Sequence, residues 1–343
     1  MLPDRIVNEP ELDRILGEPG PELVRFIRTV SSPLVILGAG GKMGLTVASM
    51  ARRAAVAAEH PLEVVAASRF EDPATRRRFN EEGIRTEAVD LLHPDSLRHL
   101  PDAANIISLV GLKFGTAQDP AMTWAVNTLA PVHGVNRYPE ARWVVLSTGN
   151  VYPPVSVDQG GATEDHPLTP LGEYANAAVA RERLLEFSSR SRKTRMAILR
   201  LNYAVELRYG VLVDIALRIA RGEPVDLSNG WFNCIWQGDA ADRILRALDL
   251  AAHPPRALNL CHGDILSVRE VATELAGLLN RPVTFTGRES GSALLSNPTR
   301  MDSYFGPPPT PLAGVIRCTA AWIAAGGRVL NRPTRFEVRD GRY

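Results

Sequence analysis

The stretch Leu34-Val35-Ile36-Leu37-Gly38-Ala39-Gly40-Gly41-Lys42-Met43-Gly44 decides the fold. Four apolar residues running into glycines read as a short buried parallel strand. Residues 42–58, rich in alanine, read as the helix that follows. Gly38, Gly41 and Gly44 then stand at the mouth of that helix in a GxxGxxG spacing. Glycine is required there for a tight turn and for close backbone approach to a pyrophosphate, whose charge the helix N-terminus stabilises. A glycine triplet alone is a weak sign. With strand, turn, helix and a second strand in order, it reads as a dinucleotide site rather than a turn needed only for packing.

Working outward, apolar runs at 62–67, 85–89, 105–110, 143–147 and 196–201 read as five further buried strands. They alternate with helical segments, 121–136 and 172–190 among them. Short strands separated by helices imply βαβ crossovers, hence an α/β fold: a Rossmann-like doubly wound parallel sheet. Beyond residue 202 the rhythm loosens into helices at 211–221, 239–251 and 267–280 and a short strand at 258–261. The expected organisation is an N-terminal helical extension (1–32), a Rossmann domain (33–202, with 231–262 returning to it) and a smaller C-terminal substrate lobe (203–230 and 263–343).

Composition narrows the function classes. A net charge of +1, with no basic run beyond Arg76-Arg77-Arg78, argues against a nucleic-acid surface. No apolar stretch approaches the ~20 residues that span a bilayer, and the acidic N-terminus lacks the apolar core of a signal peptide. Cys234, Cys261 and Cys318 are widely spaced, without CxxC or clustered histidines, so neither disulfides nor a metal site is expected and a reducing cytoplasm fits. Of 39 Lys plus Arg only Lys42, Lys113 and Lys193 are lysine. Their positions therefore carry information.

The second strand ends in Ser68-Arg69, where an NAD site would place a carboxylate for the ribose diol. Arginine and a hydroxyl suit a 2′-phosphate, so NADP is the expected cofactor and NAD the other candidate. The competing reading makes Arg69 an ordinary surface arginine. Asp90, with Leu91 after the third strand, is placed either to accept from an adenine amino group or to form a turn.

The order of these features resembles the extended short-chain dehydrogenases, the NAD-dependent epimerase/dehydratase family, over residues 34 to about 325. Val110-Gly111-Leu112-Lys113 is similar to the segment that lays a lysine along the cofactor in sugar-nucleotide epimerases. Asn127 matches the family's helix asparagine, Thr148 its catalytic Ser/Thr and Tyr174 its catalytic tyrosine. Glu182, Arg200 and Asp239 match further family positions. By this resemblance Gly38, Gly41, Lys42, Met43, Gly44, Ser68, Arg69, Asp90, Leu91, Val110, Gly111, Lys113, Asn127 and Tyr174 bind the cofactor, and Tyr174 with Thr148 catalyses.

One departure stands out. The family's YxxxK becomes Tyr174-Ala175-Asn176-Ala177-Ala178. The missing lysine binds the ribose hydroxyls and activates the tyrosine, and an unassisted tyrosine is a poor base at neutral pH. Three accounts follow. The site is inactive and keeps the cofactor as a ligand; the nicotinamide charge with Lys113 or Arg181 replaces the lysine; or Tyr174 only donates a hydrogen bond while the substrate or Glu173 handles protons.

Gly149-Asn150 stand where sugar-nucleotide dehydratases carry Asp-Glu, so dehydration is not expected. Asn233 lies where nucleotide-sugar enzymes present an arginine to a diphosphate, which argues against such a substrate. Arg208 is the nearest candidate for an acidic substrate, or else a surface arginine. Trp231 and Trp236 either stack a ligand or fill core. The expected activity is that of an NADP(H)-dependent oxidoreductase or epimerase-like protein on a small polar hydroxy or keto compound. A binding-only sensor or scaffold and a nucleotide-sugar epimerase are the alternatives. The resemblance also implies a homodimer through helices 121–136 and 172–190.

Overall fold

The structure, a computed structural model, describes residues 2–116 and 118–341. Seven parallel strands form one sheet: β1 (Leu34–Leu37), β2 (Val64–Ser68), β3 (Arg85–Ala88), β4 (Asn105–Ser108), β5 (Arg142–Thr148), β6 (Arg195–Leu201) and β7 (Arg256–Leu260). Their order is β7-β6-β5-β4-β1-β2-β3, so the direction of winding reverses between β1 and β4. A doubly wound sheet binds its ligand at that switch point, outside the strands' carboxyl ends.

Successive β1 side chains point to opposite faces, and both faces are covered. Leu34 and Ile36 pack with α2 (Pro21–Ile27), α3 (Gly44–Ala57) and α8 (Gln237–Arg246). Val35 and Leu37 join Ala130 and Val135 of α5 (Pro120–Arg137) and Leu185 of α6 (Gly172–Arg192). This is why the strands read as unbroken apolar runs. β3 is the exception to the buried pattern expected of it: Arg85 and Ala88 are exposed because β3 forms the sheet's edge.

A second core lies beside the sheet. It gathers Leu212 and Ile215 of α7 (Val211–Arg221), Val271 and Leu275 of α9 (Val268–Leu279) and Val315 and Trp322 of α11 (Leu312–Ala324). The N-terminal segment serves both cores. Leu12 and Leu16 of α1 (Glu9–Leu16) enter the second core, whereas Leu23 and Ile27 of α2 enter the sheet's core. The chain after α11 runs back across the molecule: Leu330 N donates to Arg208 O, Asn229 Nδ2 to Phe336 O, and Arg339 reaches Ser292 O. No helix among the described residues is long and apolar enough to cross a membrane.

Candidate active site

The glycine turn is built as a cradle. Gly38 has φ +75°, and a Cβ there would lie 2.9 Å from Val110 N. A Cβ on Gly40 would meet Ser68 Oγ at 2.6 Å, and one on Gly44 would sit 1.8 Å from Ala39 O. Only a chain without side chains fits between β1, the end of β2 and the end of β4. The surface it leaves is continuous with a cleft walled by Ser68, Arg69, Asp90, Leu91, Val110 and Gly111. This geometry fits the phosphates and adenosine of a dinucleotide.

At the far end of the cleft Arg69 pairs with Glu71 at 3.2 Å, both exposed, and Asp72 caps α4 (Pro73–Glu81) by accepting from Ala74 N. Asp90 Oδ1 accepts from Leu92 N at 2.9 Å, so the aspartate shapes a turn on the cleft wall. Arg332, from the chain's return after α11, stands on the same cleft.

A second cavity adjoins this one at the carboxyl ends of β4, β5 and β6. Gly41, Lys42, Met43, Lys113, Thr148 and Tyr174 all line it. Tyr174 comes from the first turn of α6 and Thr148 from the end of β5. Thr148 Oγ1 accepts from Asn150 N and donates to Asn150 Oδ1 at 3.0 Å. Its hydroxyl proton is therefore engaged, and a substrate oxygen meets Thr148 through its remaining lone pair.

Ala178 is fully buried in a cluster with Val151, Tyr152 and Leu295 and is not among the residues that line this cavity. One helical turn later Arg181, 2% exposed, lines it instead. The guanidinium donates to Val110 O at 2.9 Å and Asn127 Oδ1 at 3.2 Å, and it acts electrostatically on Tyr174. Its Nε has no partner among the described residues. Asn127 lies behind the cavity wall, donating to Leu112 O at 3.0 Å, so it holds the 110–113 segment in place from the rear. Gly44 likewise lies beneath the turn.

α6 is fixed to the sheet by a buried bidentate pair, Arg200 Nε and Nη2 to Glu182, while Ser147 Oγ donates to Glu182 Oε1 at 2.5 Å. Arg200 also donates to Tyr152 Oη, and burial pushes that phenol up to about 12. Tyr152 is thus a structural member of this network.

One expectation needs correction. Arg208 is neither a ligand for an acidic substrate nor a surface residue. It is buried among Glu206, Glu9 and Asp13, at 3.0, 3.2 and 2.9 Å, and it ties α1 to the second core. Trp236 is core, 3% exposed. Asn233, fully buried, donates to Ser296 O and accepts from Asn202 Nδ2, so the position a diphosphate-binding arginine would take is committed internally. Tyr203, Tyr209 and Thr334, also on the cavity, went unrecognised in the sequence. The two tyrosines fall within eight residues of the end of β6, a signal that was available. Nothing local marks Thr334 or Arg332.

The fold is that of known enzymes. A UDP-glucose 4-epimerase from Thermus thermophilus, complexed with NAD, superimposes with a TM-score of 0.70 at 19% identity, over 87% of this chain and 100% of that one. A UDP-glucuronic acid 4-epimerase from Bacillus cereus, complexed with NAD, gives 0.70 at 15% identity, over 85% and 98%. RMD from Pseudomonas aeruginosa, complexed with NADPH, gives 0.67 at 19% identity, over 86% and 100%. No curated protein matches the sequence. The family model for the NAD dependent epimerase/dehydratase family matches residues 34–261. The chain belongs to that family.

Proposed function

We propose that the protein is an NADP(H)-dependent oxidoreductase or epimerase-like enzyme acting on a small polar hydroxy or keto compound. The observation that carries this reading is the single cavity in which Tyr174, Thr148 and Arg181 meet the end of the glycine turn. A bound nicotinamide supplies or accepts hydride there. Tyr174 moves a proton to or from the substrate oxygen, Thr148 orients that oxygen, and the Arg181 charge favours the negative charge that develops on the phenol. Ser68, Arg69 and Arg332 support a 2′-phosphate, hence NADP, with Glu71 and Asp72 opposing it. The small size of the substrate is supported by the chain's return after α11, where Arg339 shares the lining of a narrow cavity with Asn150 and Tyr203 and donates to Ser292.

Tyr174→Phe tests the assignment. Turnover over a panel of free sugars, sugar acids and hydroxy acids is expected to fall ~10²–10⁴-fold, while NADPH binding followed by fluorescence is unchanged. Normal turnover by the variant removes Tyr174 from the mechanism. Tight dinucleotide binding with no wild-type turnover over the whole panel leaves a binding-only role.

We also propose a homodimer through α5 and α6. These adjacent helices expose Met122, Trp124, Leu129, Leu184 and Phe187, a run of large apolar side chains that water disfavours. Light scattering is expected to give twice the 37.4 kDa chain mass, reduced by Phe187→Glu with Leu129→Glu. A monomer in wild type rejects the assembly.

A further inference from the structure

Resting on the dinucleotide reading above, we infer that the chain's return after α11 is part of the cofactor site. Arg332 receives a phosphate of the bound dinucleotide, and the segment carrying it is thereby fastened over the wall of the catalytic cavity. Arg332 lines the dinucleotide cleft together with Gly38, Gly40 and Gly41 of the glycine turn. Two residues later, Thr334 lines the catalytic cavity with Tyr174. One short stretch of chain thus faces both halves of the site.

The stretch is held on each side of Arg332. Leu330 N donates to Arg208 O at 2.9 Å, and Thr334 donates to Asp214 through N at 2.7 Å and through Oγ1 at 2.5 Å. Between these anchors Asn331 turns the chain with φ +51°, a left-handed conformation in which asparagine is enriched. Pro333 fixes its own φ and biases Arg332, just before it, towards extended backbone. Beyond Thr334, Phe336 enters the second core, its O accepts from Asn229 Nδ2 at 2.7 Å, and Glu337 pairs with Arg218 at 3.1 Å. The backbone of Arg332 is therefore set in place in the free protein, while the residue itself is exposed.

Its guanidinium is uncommitted. Among the described residues it makes no hydrogen bond and has no carboxylate within ion-pair distance. Arg69, the other arginine on the cleft, already pairs with Glu71, while Asp72 and Asp90 accept from Ala74 N and Leu92 N. The glycine turn offers a phosphate backbone N–H groups but no charge of its own. A guanidinium adds a full charge and two parallel donors. Arg332 does not line the catalytic cavity, so the anion it meets is the cofactor rather than the substrate. Pyrophosphate and 2′-phosphate present the same oxygens to it, and NADPH and NADH tell the two apart.

The experiment uses the full chain. NADPH and NADH are titrated by fluorescence into wild type, Arg332→Gln and Arg332→Lys. Amide hydrogen exchange over residues 328–340 is then followed in wild type and Arg332→Gln, free and at saturating NADPH. Arg332→Gln is expected to weaken NADPH about tenfold or more, and Arg332→Lys less, because a point charge replaces the fork. An equal loss for NADH assigns Arg332 to the pyrophosphate and a loss confined to NADPH assigns it to the 2′-phosphate; either supports the proposal. Saturating NADPH is expected to slow exchange over 328–340 about fivefold or more in wild type, and far less in Arg332→Gln. The free variant is expected to keep the far-UV spectrum and melting temperature of wild type, since glutamine replaces an exposed side chain with no bond to lose among the described residues. Unchanged affinity for both cofactors in Arg332→Gln overturns the proposal, and so does an equal effect of NADPH on exchange in the two proteins. Both results leave the dinucleotide reading standing. That reading fails separately, and takes this proposal with it, if wild type binds neither cofactor.

Discussion

Gly44→Ala is expected to abolish dinucleotide binding. The ideal Cβ of residue 44 lies 1.8 Å from Ala39 O, 2.5 Å from Ala39 C and 2.7 Å from Ala39 Cα. All three atoms are backbone of the turn itself, so no side chain can swing aside, and either the turn or the first residues of α3 must move. Both alternatives disrupt the alignment of N–H groups on which a pyrophosphate depends. Gly41→Ala provides the contrast. Its Cβ would have one close neighbour, Gly38 O at 3.4 Å, within ordinary contact. Fluorescence titration with NADPH is expected to show a loss of ~100-fold or more for Gly44→Ala, equivalent to about 3 kcal/mol, and a far smaller loss for Gly41→Ala. A Gly44→Ala protein that binds NADPH like wild type would mean that the turn does not hold phosphates.

That turn was legible because every element of it is local: an apolar tetrapeptide, glycines at fixed offsets and an alanine-rich helix are all read within one short stretch of chain. The same holds for β2 and β4 to β6, whose apolar runs reflect burial on both faces. β3 was found but its environment was not, since apolar content does not reveal which strand ends up at an edge. Legibility fails where function depends on residues far apart in sequence. Arg208 could not be read as a structural anchor, because its partners Glu9 and Asp13 lie at the opposite end of the chain, in a segment whose role the sequence left open. Arg332 and Thr334 reach the two cavities only because the chain folds back after α11. Arg181 is the intermediate case. Helical periodicity places residue 181 on a face similar to that of Tyr174, yet only the folded structure reveals that its charge is buried there.

Arg181→Met is expected to reduce turnover by ~10²-fold or more. Arg181 shares a cavity with Tyr174, acts on it electrostatically, and carries a buried charge with one donor unpartnered among the described residues. A positive charge held in so dry a place stabilises negative charge that develops on a neighbouring oxygen in the transition state, because little water screens the pair. Methionine keeps the length and much of the volume of the side chain but removes that charge. A purely structural role gives a different result. Arg181 also holds Val110 O and Asn127 Oδ1, so a variant harmed only by losing those bonds would show lower stability and weaker NADPH binding, with kcat at saturating cofactor unchanged. Arg181→Lys, which retains charge but loses the fork of donors, is expected to recover part of the rate. The swap Ala178→Lys with Arg181→Val completes the test by returning the cation to the position the family uses. The longer side chain must then displace the packing of Ala178 against Tyr152 and Leu295, which favours only partial rescue. Full activity in Arg181→Met would instead remove the arginine from the chemistry.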